Sequence, residues 1–188
     1  MLQQIGQSAI LTSDPEIIEK ADKLILPGVG SFDTAMQNLY HFNLIDILNY
    51  KVGTLKTPVF GICLGMQLFA DNSEEGDQPG LGWIKGEILK FRFQNVDHKL
   101  KIPHMGWNTV KINKETNLFD EMPLEQRFYF VHSYYLKCKN EEDILCTTRY
   151  GFDFVSVVKR DNIIGVQFHP EKSHKFGKKI FENFVKHY

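Results

Sequence analysis

The sequence predicts an α/β fold, a central and mostly parallel sheet flanked by helices and supplemented by antiparallel strands. Three observations predict it. Twice before Ala70 an apolar run ends at a glycine-containing turn and passes into helical spacing, the strand-turn-helix unit of a parallel sheet. Beyond Ala70 the chain becomes a series of short strand candidates joined by polar turns. The ending, Lys175 to Tyr188, places Phe176, Ile180, Phe184 and Val185 on one helical stripe, with basic residues toward the C-terminus.

Taken in order, Ala9-Ile10-Leu11 reads as a first short strand, followed by Thr12-Ser13-Asp14-Pro15-Glu16, which supplies a cap, a proline and an acid for a helix over 15–20. Lys23 to Leu26 is the next strand. It stops at Pro27-Gly28-Val29-Gly30, after which Ser31 or Asp33 caps a helix carrying Ala35, Met36, Leu39 and Tyr40. A helix around Leu44 to Tyr50 leads to the buried-type strand Thr57 to Ile62, and Cys63 to Ala70 resumes helical spacing. Asp71 to Gly82 is polar and glycine-containing. The later strand candidates are Ile84 to Phe93, Asn108 to Ile112, Arg127 to Val131, Tyr134 to Cys138, Ile144 to Arg149, Phe154 to Lys159 and Ile163 to Phe168, assembled with the earlier ones into one sheet.

The chain of 188 residues is long enough to form one domain, 1–188, hiding roughly 70% of its extended surface. With 22 Lys+Arg against 23 Asp+Glu there is no whole-chain field to collect nucleic acid or anionic lipid. No arginine-flanked leader and no apolar stretch of 18 is present, so a cytoplasmic, non-membrane protein is expected. The three cysteines lack metal-ligand spacing, which fits a reducing compartment and implies neither a metal nor a cofactor.

Gly61-Ile62-Cys63-Leu64-Gly65 has the physical form of a nucleophile elbow: glycines allow a crowded turn, and the helix after it offers free amides to the sulfur and to an adjacent oxyanion. Taken alone, Cys63 reads more readily as a buried core cysteine, a preference that the flanking glycines narrow without reversing. His169-Pro170-Glu171 ends a strand with an imidazole and a carboxylate two positions apart, hence on one side of extended backbone. Glu171 can then hold the ring tautomer while His169 takes the thiol proton, although in isolation the triplet is also a plain polar turn. Pro27 to Gly30 can turn backbone N–H groups toward developing negative charge, or simply make a turn; it lacks the Lys-Ser/Thr ending of a phosphate loop. His132 suits a pocket role or a structural hydrogen bond, and His104 a core or a partner patch. His41, His98, His174 and His187 have no comparable setting.

Together, Pro27 to Gly30, Gly61 to Gln67 and His169-Pro170-Glu171 resemble the class I, triad-type glutamine amidotransferases, in the same order along the chain. Pro103 to Asn108, Tyr129 to Tyr135 and Gly165 to Ser173 resemble more narrowly the glutaminase subunits of imidazole glycerol phosphate synthases, a likeness running from about Gly6 to the C-terminus. The resemblance implies Cys63 as nucleophile, His169 as acid and base, and Glu171 as its orienting carboxylate. It implies oxyanion donors from Val29, Gly30 and Leu64, glutamine binding by Gly28, Gly65, Gln67, Ser133 and Tyr134, and a partner face at Met105, Trp107 and Asn108. The implied partner is a (βα)₈-barrel cyclase, bound one to one, that receives ammonia through a closed route. A glutaminase feeding a nucleotide-sugar or surface-sugar amidotransferase shares the same triad, and a noncatalytic interaction subunit is the reading from a different class. Members of the family open with a strand, a glycine-containing turn and most of a helix before the segment that Leu2 to Ile10 matches, so the chain reads as short at its N-terminus.

Overall fold

The computed structural model describes residues 1–93 and 100–188. Its helices are α1 (Pro15–Glu19), α2 (Phe32–His41), α3 (Leu44–Asn49), α4 (Leu64–Gln67) and α5 (His174–His187). Its strands are β1 (Leu24–Gly28), β2 (Val59–Cys63), β3 (Asn72–Ser73), β4 (Gly86–Lys90), β5 (His104–Thr109), β6 (Lys111–Ile112), β7 (Arg127–His132), β8 (Tyr134–Cys138), β9 (Ile144–Tyr150), β10 (Phe152–Arg160) and β11 (Ile163–Val166). No helix among the described residues is long and apolar enough to cross a membrane.

The main sheet runs β1-β2-β11-β10-β8-β4-β3, with β9 also pairing β10 and β6 pairing β9. The first three strands are parallel, and the β10-centred extension is antiparallel. Alternation along the parallel strands sorts the core into two faces. Leu24, Leu26, Val59 and Ile163 join the cluster beneath α1 to α4, whereas Ile25, Phe60, Ile62, Ile164 and Val166 join the cluster beneath α5. Phe60 stacks on Phe184 with ring centroids 5.0 Å apart, which fixes α5 against the middle of the sheet.

Three expectations are corrected. Ala9-Ile10-Leu11 is irregular, with Ile10 72% and Leu11 96% exposed, because so short a run gains neither a ladder partner nor a packed face here. The helix expected through Ala70 ends at Gln67. The carbonyls of Leu68, Phe69 and Ala70, which would accept the next helical bonds, instead accept the amides of Leu81, Ile84 and Gly82. Finally, β5 and β7 do not join the main sheet but form a two-stranded antiparallel sheet of their own. Its β7 strand meets the main site through a bridge between Tyr129 and His169.

Candidate active site

Cys63 is the last residue of β2 and directly precedes α4, and its own backbone takes φ 52°, ψ −109°. The strained conformation therefore belongs to the cysteine, not to the flanking glycines, and turns its side chain out of the strand's alternation. Those glycines have a different task. A Cβ on Gly61 would lie 2.5 Å from the Phe69 ring, and one on Gly65 would lie 1.8 Å from the Leu26 carbonyl oxygen. Each glycine lets α4 press onto the sheet closely enough to hold the elbow. In register, Gly28 is the β1 partner of Cys63, and a Cβ there would meet the Gly65 nitrogen at 2.9 Å. Val29 and Gly30 come next, beside the elbow; Val29 is 83% exposed and Gly30 has φ 102°.

His169 lies three residues beyond β11 and is nearly enclosed. Its backbone is tied at both ends, since its N–H donates to Tyr129 O at 2.8 Å and its carbonyl accepts from Ser173 Oγ at 2.6 Å. Ser173 Oγ in turn accepts the Tyr129 N–H at 3.0 Å. The ring Nδ1 donates to Glu171 Oε1 at 2.7 Å, which leaves Nε2 for the sulfur. Burial opposes a charged ring, but hydrogen bonds with Cys63 and Glu171 outweigh it and hold His169 up at about 9. Glu171 is correspondingly lowered: its partial burial is overcome by the hydrogen bond from His169. The three side chains thus follow one another as Cys63, His169 and Glu171, with an imidazole that favours its charged form hydrogen-bonded to the Glu171 carboxylate.

Next to the sulfur lies a second polar row. Gln167 Nε2 donates to Cys63 Sγ at 3.7 Å, and Gln67 Nε2 donates both to Gln167 Oε1 at 3.0 Å and to Tyr134 O at 3.2 Å. With both amide hydrogens of Gln67 engaged, its Oε1 is the acceptor it can offer to a ligand. Ser133 carries the carbonyl that accepts the Phe91 N–H and Tyr134 the carbonyl that accepts from the Gln67 side chain, so both residues are held at the β7-β8 junction. Burial, followed by the charges of Glu75 and Glu74, raises the Tyr134 phenol. Gln167 was not singled out from sequence, although alternation carries the signal: it precedes His169 by two in extended chain and shares its side, while Val166 and Phe168 are core.

A cavity of about 430 Å³ opens against His169 and Glu171, lined also by Pro27, Gly28, Val29 and Ile62 together with Met1, Leu2, Gln3 and Ala9. Gln67, Ser133 and Tyr134 are not among its walls, so it reaches the imidazole and carboxylate from the β1 side. On the partner-face expectation, Met105 is 62% and Trp107 48% exposed, and Trp107 lies flat on His174 with rings 8° from parallel. Asn108 instead turns inward, donating to His104 Nε2 and to Arg149 O.

Comparison with known proteins places these residues in context. Residues 5–188 match the family profile for class-I glutamine amidotransferases. The chain is 58% identical over 186 residues to "Imidazole glycerol phosphate synthase subunit HisH 2" of Methanococcus maripaludis, an alignment covering 99% of this chain and 91% of that one. A protein of the same description from Pseudomonas aeruginosa is 49% identical over 185 residues, covering 98% and 90%. Among solved structures, one titled as a glutamine amidotransferase superposes with a TM-score of 0.73 at 18% identity, covering 98% of this chain and 90% of that one. A structure described as "a putative gmp synthase subunit a protein" from Thermoplasma acidophilum superposes with a TM-score of 0.69 at 21% identity, covering 98% and 82%.

Proposed function

This chain belongs to the class I glutamine amidotransferase family, and we propose that it is the glutaminase subunit of an imidazole glycerol phosphate synthase, working through Cys63, His169 and Glu171. The observation that carries the reading is that His169, its Nδ1 donating to Glu171 at 2.7 Å, follows β11 where that strand runs level with the Cys63 end of β2. The names of the relatives and their near-complete coverage support the same role in histidine biosynthesis.

In the proposed reaction the Cys63 sulfur adds to the side-chain carboxamide carbon of glutamine. The oxygen that becomes anionic is received by backbone amides of the Val29-Gly30 turn and of Leu64. His169 donates its proton to the departing nitrogen, ammonia leaves, and a glutamyl thioester on Cys63 remains. The neutral imidazole then takes a proton from water, which attacks the thioester carbonyl. Glutamate departs, and the thiolate-imidazolium pair is restored. Glu171 steadies the positive ring at both protonation steps. Glutamine lies against Gly28, Gly65, Gln67, Ser133 and Tyr134, with the Gln67 Oε1 acceptor facing its polar end.

The acceptor of the ammonia is a separate cyclase of (βα)₈-barrel form in the cytoplasm, bound one to one at the face that includes Met105 and Trp107. A closed passage between the subunits keeps ammonia from being diluted and protonated, which would remove its nucleophilic lone pair. The test is glutamate release by the chain with and without a cyclase partner, in the native form and as Cys63→Ala. The native form turns over faster with its partner and the variant does not turn over in either setting. Equal turnover by both forms rejects Cys63 as nucleophile.

A further inference from the structure

Two backbone carbonyls fix the direction of a hydrogen-bond row that ends on the Cys63 sulfur. Arg149 O can only accept, so the Asn108 amide nitrogen faces it at 3.0 Å, and the same nitrogen gives its second hydrogen to His104 Nε2 at 3.2 Å. His104 Nδ1 must then carry the hydrogen that it gives to His132 Nε2 at 3.0 Å. His132 Nδ1 gives its own to Tyr134 O at 2.7 Å. From the other side, Tyr134 O can only accept from Gln67 Nε2, whose second hydrogen goes to Gln167 Oε1. That leaves Gln167 no choice of amide orientation: its NH₂ group faces the sulfur.

The two carbonyl anchors agree, and the agreement requires both imidazoles to be neutral. A proton added to either would set two donors face to face. Both rings are enclosed, and His104 is held between Tyr150 at 4.0 Å and Phe130 at 4.8 Å, so no rotation relieves such a clash at low cost. Gln167 is itself fully buried, so its donor has the sulfur as its partner and no water to replace it.

We propose that Gln167 is a catalytic hydrogen-bond donor to the Cys63 sulfur, and that His132 and His104 are positioning residues that hold in place the Tyr134 carbonyl on which Gln67, and through it Gln167, is oriented. The proposal rests on Cys63 being the nucleophile. Gln167 moves no proton. It stabilises negative charge on sulfur twice in the cycle, before attack and again when the thioester expels the thiolate.

The charged groups that face Cys63 are His169 and, through it, Glu171. A pH profile of Cys63 modification therefore reads their field together with the Gln167 donor. The test tracks carbamidomethylation of Cys63 by iodoacetamide from pH 5 to 10, with glutamine turnover in parallel, in Gln167→Met and His104→Phe. Cys138 and Cys146 are the slower background, because burial raises both thiols. For Gln167→Met the pH of half-maximal modification rises by about one unit and kcat falls about tenfold, the low end for a hydrogen bond to a charged acceptor, with KM within about threefold. His104→Phe keeps the ring stacking, shifts the profile the same way by less, and adds little to Gln167→Met in the double variant. In the unsubstituted protein, the Gln167 side-chain amide protons shift in the NMR spectrum when Cys63 is modified. A folded Gln167→Met with the native profile, or Gln167 resonances indifferent to Cys63 modification, overturns the proposal. If Cys63→Ala is inactive in the same series, that failure leaves the nucleophile assignment standing, whereas an active Cys63→Ala removes the assignment itself.

Discussion

Gly65→Ala tests how tightly the elbow is held. The added methyl would sit 1.8 Å from Leu26 O and 2.8 Å from the Leu26 carbonyl carbon. A carbon-oxygen contact needs about 3.2 Å or more, so one backbone must retreat by about 1.4 Å. Neither side yields easily: Leu26 is in the middle of β1, paired to Gly61 of β2, and Gly65 is in the first turn after Cys63. If α4 gives way, Cys63 moves with it, and a displacement near 1 Å at a reacting atom costs about 100-fold in rate. Overpacking of this kind also removes about 1–3 kcal/mol of stability. The expected result is a folded protein, melting several degrees lower, with kcat for glutamine hydrolysis down at least 100-fold and slower iodoacetamide modification of Cys63. Gly53→Ala is the control, because its Cβ meets nothing within 4 Å. Turnover by Gly65→Ala within threefold of the native rate refutes the claim that close approach of α4 to β1 positions the nucleophile.

Other outcomes rest on the same geometry. Glu171→Gln keeps an acceptor for His169 Nδ1 but removes the charge, so the ring falls from about 9 toward its ordinary value and kcat drops about 100-fold, with the alkaline limb of the pH–rate profile moving to lower pH. Burial lowers His132 to about 3 and His104 to about 4, so between pH 6.5 and 4.5 the unfolded chain binds protons that the folded one refuses; His132 alone then removes about 2–3 kcal/mol, read as a falling urea midpoint. In that window His169 is charged in both states and its contribution is lost only as pH rises through about 9, while the lowered carboxylates Asp71, Glu74 and Glu171 lose theirs only at lower pH, so a flat urea midpoint contradicts the neutral imidazole pair. Trp107→Ala removes the ring stacked on His174 from the exposed face, and the dissociation constant for the proposed cyclase partner rises at least tenfold in a titration calorimetry comparison.

The elbow at Cys63 and the hydrogen bond between His169 and Glu171 were legible because each effect is local: a turn advertised by small residues, and an imidazole and carboxylate spaced to share a side. The strand-helix order from Pro15 to Cys63 was legible for the same reason, whereas the strand expected at Ala9 to Leu11 is not formed. The features that escaped were set by distant partners. Nothing near Gln67 announces that the next three carbonyls will be taken by residues 81–84 and end the helix. Asn108 shares an exposed-looking run with Met105 and Trp107, yet its direction is decided by Arg149 O, 41 residues away. His104 and His132 left two readings open apiece, and cross-strand register resolves them by placing the two residues opposite each other on β5 and β7.

Register also explains why residues so far apart in sequence meet at one sulfur. In the parallel ladders Gly28 lies opposite Cys63, and Val166 lies opposite Ile62, so the residue just past β11, Gln167, arrives level with the elbow. The carboxyl ends of three adjacent parallel strands thus deliver, side by side, a glycine turn, a sulfur and an amide donor, the place where open α/β sheets gather ligands. The side-chain period of two then sets the next positions: Gln167 and His169 face the site while Phe168 is driven into the core, where it stacks on Phe128 at 4.0 Å. Phe168 is consequently a constraint on chemistry as well as on packing. A chain slipped by one residue along β11 would turn the imidazole into the apolar cluster around Phe128 and bring the phenyl ring to the Cys63 side, leaving the buried polar groups without partners. The hydrophobic sorting that builds the core is therefore the same force that aims Gln167 and His169.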